Sequence, residues 1–381
     1  MTSHLPLMDM MSRLIEIPSI SCTNPDIDMS NDPVIHQLAN WLNDLNFQVE
    51  IIPVNNGKSN LIATLGQGDG GLVLAGHTDT VPYDEHRWHH DPFKLTEDNN
   101  RLYGLGTADM KSFLAMAIEA AASFQAADYK QPLIILATSD EETTMAGART
   151  LVELSRPKAR YAIIGEPTGM KPIRMHKGIL MEAIRITGLA GHSSNPALGH
   201  NAMEAMHKVI AELLLWRNEL QQQYNNPLFE VPVPTMNLGH IHGGDNPNRI
   251  CGQCELHIDI RPLPGMKLDE LRHQLKQRLS KVMPGHGFKL ETFPLFSGIP
   301  AMETKASSEL IKAAEKFTGK TSGSVAFGTE APYLTQLGIE TLILGPGNID
   351  QAHQPDEYLD LNQVQPTIDL LRQFILQFCI H

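Results

Sequence analysis

His77 and Asp79 in "GHTDT", Asp109 in "GLGTADMK", Glu141 and Glu142 in "TSDEET", Glu166 in "IIGEPT" and His353 in "QAHQP" are residue types that hold divalent cations and move protons. Asp140, Glu141 and Glu142 stand in a row directly behind an apolar run that reads as a buried strand. Three adjoining acids there repel one another, so a cation is needed to make them tolerable. In an extended segment His77 and Asp79 point the same way. One can bind a metal while the other accepts a hydrogen bond from the imidazole's second nitrogen and fixes its tautomer. Asp109 follows a glycine turn and precedes a helix, where a short carboxylate can reach two ions at once. Glu141 and Glu142 are neighbours with diverging side chains, so one can ligate while the other faces bound water.

Two histidines and three carboxylates suit two zinc ions: His77 and Glu166 on one, His353 and Glu142 on the other, with Asp109 and a water bridging them. The charges balance, because two divalent ions meet three carboxylates and a bridging hydroxide. Nitrogen and oxygen donors without thiolate fit zinc, cobalt or manganese. Ions about 3.5–4 Å apart are the usual two-metal arrangement for hydrolysis. Any one of these residues taken alone is more often a cap or a satisfied polar group. The inference rests on their joint occurrence at strand ends.

The elements that must position them follow from periodicity. Helices at about 5–16 and 33–46, strands at 47–54 and 71–77, a helix at 110–124, a strand at 131–140, a helix near 145–154 and a strand at 161–167 alternate along the chain. This rhythm predicts an α/β domain with a mixed, mainly parallel sheet covered by helices on both faces. Such sheets bind ligands at the carboxyl ends of their strands. From residue 179 to 292 the order becomes β-α-β-β-α-β, the ferredoxin-like α+β plan. Residues 1–178 and 293–381 therefore read as one catalytic domain interrupted by an inserted domain at 179–292.

Other motifs point elsewhere and are weaker. "GLGTAD" imitates part of a dinucleotide fingerprint, but Asp109 stands where the third glycine belongs. "GHSSN" around Ser193 is not a nucleophile elbow. Cys251 and Cys254 lie three apart in a strand-like stretch and face opposite sides, so they read as ordinary strand cysteines. His86, His89 and His90 read as a solvated loop. The four cysteines are too few and scattered for a disulfide framework. A net charge of −13 disfavours nucleic acid and anionic membrane as partners and leaves small molecules. The amino end lacks the features of a signal peptide and no segment has the length of a membrane span, which predicts a cytoplasmic protein.

The stretches "LAGHTDTVP", "GLGTADMK", "TSDEET", "GEPT" and "QAHQPDEYL" resemble the co-catalytic zinc family of aminoacylases, peptidases and deacylases. "GHSSNPALGHNA", "LGHIHGGDNPNRIC" and "ELHIDIRPLPGM" extend the resemblance over almost the whole length and direct it to the deacetylase branch. It implies zinc ligands at His77, Asp109, Glu142, Glu166 and His353, with Glu141 as general base and Asp79 as a catalytic carboxylate acting behind a ligand. It also implies a homodimer made through the inserted domain, a lid whose His192 stabilises the tetrahedral oxyanion across the dimer, and an Arg249 that grips the substrate carboxylate. The implied reaction is removal of the acetyl group from N2-acetyl-L-ornithine, a step of arginine biosynthesis. Its side-chain ammonium calls for an acid, for which Glu330 in "FGTEAP" is the candidate. Cobalt substitution and glutathione stimulation belong to the same resemblance, and no residue explains the latter. Leu105 and Ser112 depart from the wider family's arginine and glycine without removing a ligand. The alternatives are another deacylase of the family (a desuccinylase, aminoacylase or dipeptidase), a metal-dependent binding protein, which would not need Glu141, and a two-domain dehydrogenase.

Overall fold

The computed structural model describes residues 5–55, 57–68, 70–283 and 285–381. The chain divides into two units, one running to Arg174 and resuming over Thr304–Gly323 and Glu330–His381, the other comprising Met175–Glu303 and Ser324–Thr329. In the first stretch come α1 (Leu7–Glu16), α2 (Asp32–Asp44), β1 (Gln48–Asn55), β2 (Lys58–Leu65), β3 (Leu72–His77), β4 (Thr96–Asp98) and β5 (Arg101–Tyr103). They are followed by α3 (Lys111–Ala121), β6 (Leu133–Thr138), α4 (Ala146–Glu153), β7 (Tyr161–Pro167) and β8 (Ile173–His176), through which the chain passes into the second unit. That unit holds β9 (Leu180–Thr187), α5 (Ala202–Gln223), β10 (Thr235–Gly243), β11 (Gln253–Arg261), α6 (Leu268–Val282) and β12 (Lys289–Pro294). The remainder is β13 (Met302–Glu303), α7 (Glu309–Thr318), β14 (Gly323–Val325), α8 (Ala331–Gln336), β15 (Glu340–Gly345), β16 (Tyr358–Asp360) and α9 (Val364–Ile375).

The first unit's main sheet runs β1-β2-β6-β3-β7-β15-β8. Its centre is parallel, with β3 beside β6 and β7, and β7 beside β15. Every residue of β3, β6 and β7 is buried, which is why these strands read as continuous apolar runs. Helix α3 is buried almost throughout. It lies so close to β7 that a Cβ on Gly165 would sit 2.1 Å from the Phe113 ring, so only glycine fits there. Burial of large apolar side chains of this kind contributes about 1.5–3 kcal/mol each. A small antiparallel sheet, β16-β5-β4, accompanies it.

The second unit is a four-stranded antiparallel sheet in the order β10-β11-β9-β12, with α5 and α6 packed on its core. This is the ferredoxin-like order, and the α/β class of the first unit is likewise as expected. Two features differ from the periodicity. Strand β2 carries Lys58, Ser59 and Asn60 in buried positions, so polarity disguises it. The stretch expected as a strand from Arg249 becomes one only at Gln253. Cys251 thus lies before the strand, and Cys22, Cys251, Cys254 and Cys379 are all free. Among the described residues no helix is long and apolar enough to cross a membrane.

Candidate functional site

Register brings the chemistry together. On β3 and β6, His77 pairs with Thr138, the last residue of β6 and two before Asp140. On β3 and β7, Ala75 pairs with Ile164, which sets Glu166 level with His77. Three adjacent parallel strands thus end at the same height. Asp109 arrives from the glycine turn of Gly104 and Gly106, both at positive φ, just before α3 begins.

His77 Nε2 lies 3.0 Å from Asp109 Oδ1. His353 Nε2 lies 3.0 Å from Glu142 Oε2 and 3.6 Å from Asp109 Oδ2. Asp109 therefore stands between the two imidazoles. Donor atoms of His77, Asp109 and Glu142 lie within 4.8 Å of one another, and so do those of His77, Glu141 and Glu166. His353 is 54% exposed and marks the open side, whereas the Glu142 side chain is 6% exposed.

The tautomer of His77 is fixed differently from the sequence expectation. Its Nδ1–H donates to the backbone carbonyl of Asp79 at 2.9 Å, while the Asp79 carboxylate stays 3.8 Å away. That carboxylate is fully buried and drawn instead to the backbone N–H groups of Glu141 and Glu142, at 3.3 and 3.1 Å. Asp79 holds the glutamate turn rather than the imidazole.

Two further clamps escaped sequence reasoning. Asp140, the third acid of the run, turns away from the cluster in a left-handed backbone conformation. It accepts from Lys58 Nζ at 2.9 Å and Ser21 Oγ at 3.0 Å, and Lys58 also reaches Asp28 at 2.8 Å. The three acids are thus separated: one is neutralised by lysine and two face the site. The second clamp is Glu357. Its carboxylate accepts the backbone N–H groups of Gly106, Ala108 and Asp109, at 3.1, 2.8 and 3.0 Å, and fixes the loop that presents Asp109. The signal for Lys58 was a charged residue at the head of an unrecognised strand; for Glu357 it was an acid four residues beyond His353.

Electrostatics show what the cluster suits. Burial, reinforced by the Glu166 carboxylate, pushes Glu141 well above the usual carboxylate range. Burial and Asp109 do the same to Glu166, and raise Glu142. The hydrogen bond to Glu142 holds the His353 imidazole up at about 9, against a smaller opposing effect of partial burial. Crowded carboxylates that resist ionisation are stabilised by nearby positive charge. Glu166 Oε1 is buried without a hydrogen-bond partner. An orphaned carboxylate oxygen among nitrogen and oxygen donors fits a divalent cation.

Of the other expected residues, Glu330 belongs to the same unit as this cluster. Glu330 is 2% exposed and within electrostatic reach of His77, Asp79 and Glu141; burial pushes it up to about 7. His192 and Arg249 belong to the second unit, where they form an isolated β-bridge. His192 Nδ1 accepts the backbone N–H of Ser194 at 3.2 Å, which leaves Nε2 as the protonated nitrogen of the neutral ring. Arg249 is exposed and pairs with Asp245 at 2.5 Å. Of the loop histidines, His89 and His90 bond to Asp356.

Residues 73–377 match the model of peptidase family M20/M25/M40. The chain is 52% identical over 366 residues to the acetylornithine deacetylase of Vibrio campbellii, covering 96% of this chain and 97% of that one. In fold it is similar to an M20 family metallo-carboxypeptidase from Sulfolobus solfataricus, with a TM-score of 0.76, 18% identity and coverage of 97% and 98%. A dinuclear metal binding peptidase of the M20 family from Bacillus subtilis matches with a TM-score of 0.67 and 17% identity, covering 97% of each chain.

Proposed function

The chain belongs to peptidase family M20/M25/M40, and from that membership we propose that it is a metal-dependent amide hydrolase that removes the acetyl group from N2-acetyl-L-ornithine, giving acetate and L-ornithine. The observation that carries the substrate is 52% identity to an acetylornithine deacetylase along nearly the full length of both chains. The reaction would serve arginine biosynthesis, and a cytoplasmic location is part of the same proposal.

His77 and Glu166 would hold one zinc ion and His353 and Glu142 another, with Asp109 a further ligand. Cobalt suits the same donors; no residue is assigned to glutathione. When bound, such ions would polarise the acyl carbonyl and acidify water. The protein's own part begins with Glu141. Its carboxylate takes a proton from the attacking water and returns it to the leaving amine. Burial raises this carboxyl above the usual carboxylate range, the direction that favours its carrying a proton between the two. Asp79 keeps Glu141 and Glu142 in place by gripping both backbone N–H groups. The hydrogen bond from Ser194 leaves the His192 Nε2–H free to donate to a developing oxyanion, and the proposal supplies it across a homodimer built through the segment 179–292. Arg249 was expected to grip the substrate carboxylate; its guanidinium already pairs with Asp245. Glu330 was expected to meet the substrate ammonium; its burial beside Thr138 and Asp79 assigns it better to the carboxylate cluster.

The test is a steady-state assay of acetate release from N2-acetyl-L-ornithine, with and without added zinc or cobalt, beside N-succinyl-diaminopimelate and a dipeptide. Acetylornithine should give the highest kcat/KM. A higher value on the succinyl compound or the dipeptide would move the protein to another branch of the family.

A further inference from the structure

A cavity of about 130 Å³ opens beside His353 in the first unit, lined by Tyr83, Asp84, Arg87, Trp88 and Leu105 among others. We propose that this cavity is the subsite for the charged arm of the substrate, with Asp84 receiving the side-chain ammonium and Arg87 the α-carboxylate. The inference rests on the proposed reading of an acylated amino acid as substrate.

Its position is the first support. His353 forms one wall, and its imidazole touches Glu142 of the cluster. An amide held at the cluster therefore has its amino-acid portion within reach of this cavity. Size is the second. Sites for whole ligands measure about 300–1,000 Å³, so a cavity this small suits one arm of a molecule.

Charge is the third. Neither Asp84 nor Arg87 has an ion-pair partner among the described residues, although they stand three apart on one short turn, Glu85–Arg87 with Asp84 preceding it. Two uncompensated opposite charges on one wall complement a group that carries both a carboxylate and an ammonium. Arg249, by contrast, already has its guanidinium against Asp245. The half-buried rings of Tyr83 and Trp88 add faces that attract an ammonium.

The wall is also held in place. The Tyr83 ring meets Phe93 edge-on with centroids 5.3 Å apart, and Trp88 at 6.4 Å. Asp356, three residues beyond His353, accepts the backbone N–H groups of His89 and His90, each at 2.9 Å. The loop bearing Asp84 and the segment bearing His353 are thus tied together.

The experiment compares kcat/KM on N2-acetyl-L-ornithine with that on N2-acetyl-L-norvaline, which has the same carbon chain without the ammonium. In Asp84→Asn the ratio of the two should fall about tenfold or more, the scale of a lost charged contact. Asp84→Glu should restore most of it. In Arg87→Gln, kcat/KM should fall on both substrates together, since both carry the α-carboxylate. An unchanged ratio in Asp84→Asn, with the wild type active on acetylornithine, would overturn the subsite alone. A wild type inactive on acetylornithine would overturn the functional reading, and this inference with it.

Discussion

Glu141 and Glu142 are chemically identical neighbours, and their surroundings assign them different work. Glu142 faces His353 at 3.0 Å and shares a donor group with His77 and Asp109. Glu141 groups with His77 and Glu166 and is pushed further from its ordinary pKa, through burial first and Glu166 second. The difference gives a paired prediction. Glu141→Ala should keep two metal equivalents after dialysis yet lose on the order of 10²–10⁴ in turnover, the typical worth of a general base. Glu142→Ala should retain only one. Elemental analysis beside turnover decides it; metal loss in the first variant, or two full equivalents in the second, would reverse the assignment. The existence of the pair was legible in "TSDEET", but which acid faces away was not. Asp140 looks the same as its neighbours in sequence, and only its left-handed backbone and Lys58 remove it from the cluster.

At the scale of elements, the strands that carry the site were legible because burial on both faces makes β3, β6 and β7 uniformly apolar. Strand β2 was hidden for the converse reason. It opens with Lys58, Ser59 and Asn60, which are buried because each serves a neighbouring loop. Lys58 pairs with Asp140, Ser59 N–H donates to Asn31, and Asn60 accepts from Ser139 and donates to Gly147. These contacts imply that β2 braces the glutamate turn. The Lys58 and Asp140 side chains are 2% and 9% exposed. Removing one partner of such a buried pair costs about 3–5 kcal/mol. Lys58→Met should therefore lower Tm by about 5 °C, at roughly 1–1.5 °C per kcal/mol for a chain of this length. Adding Asp140→Asn should recover part of the loss, as the stranded charge is gone. Calorimetry of the single and double variants would contradict the brace if Lys58→Met melted like the wild type.

At the scale of the molecule, two separate hydrophobic cores support the two units. The carboxylate cluster belongs wholly to the first, so cation binding is predicted to stabilise that unit. A ligand at a hundredfold its Kd adds about 2.7 kcal/mol of stability. Exhaustive chelation should therefore lower the melting temperature of the intact protein by about 3 °C or more, and added zinc should restore it. A melting curve indifferent to chelator would mean that the cluster holds no ion.

The sequence by itself determined the α/β class, the ferredoxin-like plan of the second unit and the set of residues able to ligate, because apolar periodicity and residue chemistry are local properties written in order along the chain. Tertiary structure decided the pairing. Register along three parallel strands set His77, Thr138 and Glu166 side by side, and contacts spanning 82 and 248 residues gave Asp140 its lysine and the Asp109 loop its Glu357 anchor. No local pattern encodes which distant group a buried charge will meet, since that depends on where whole elements pack.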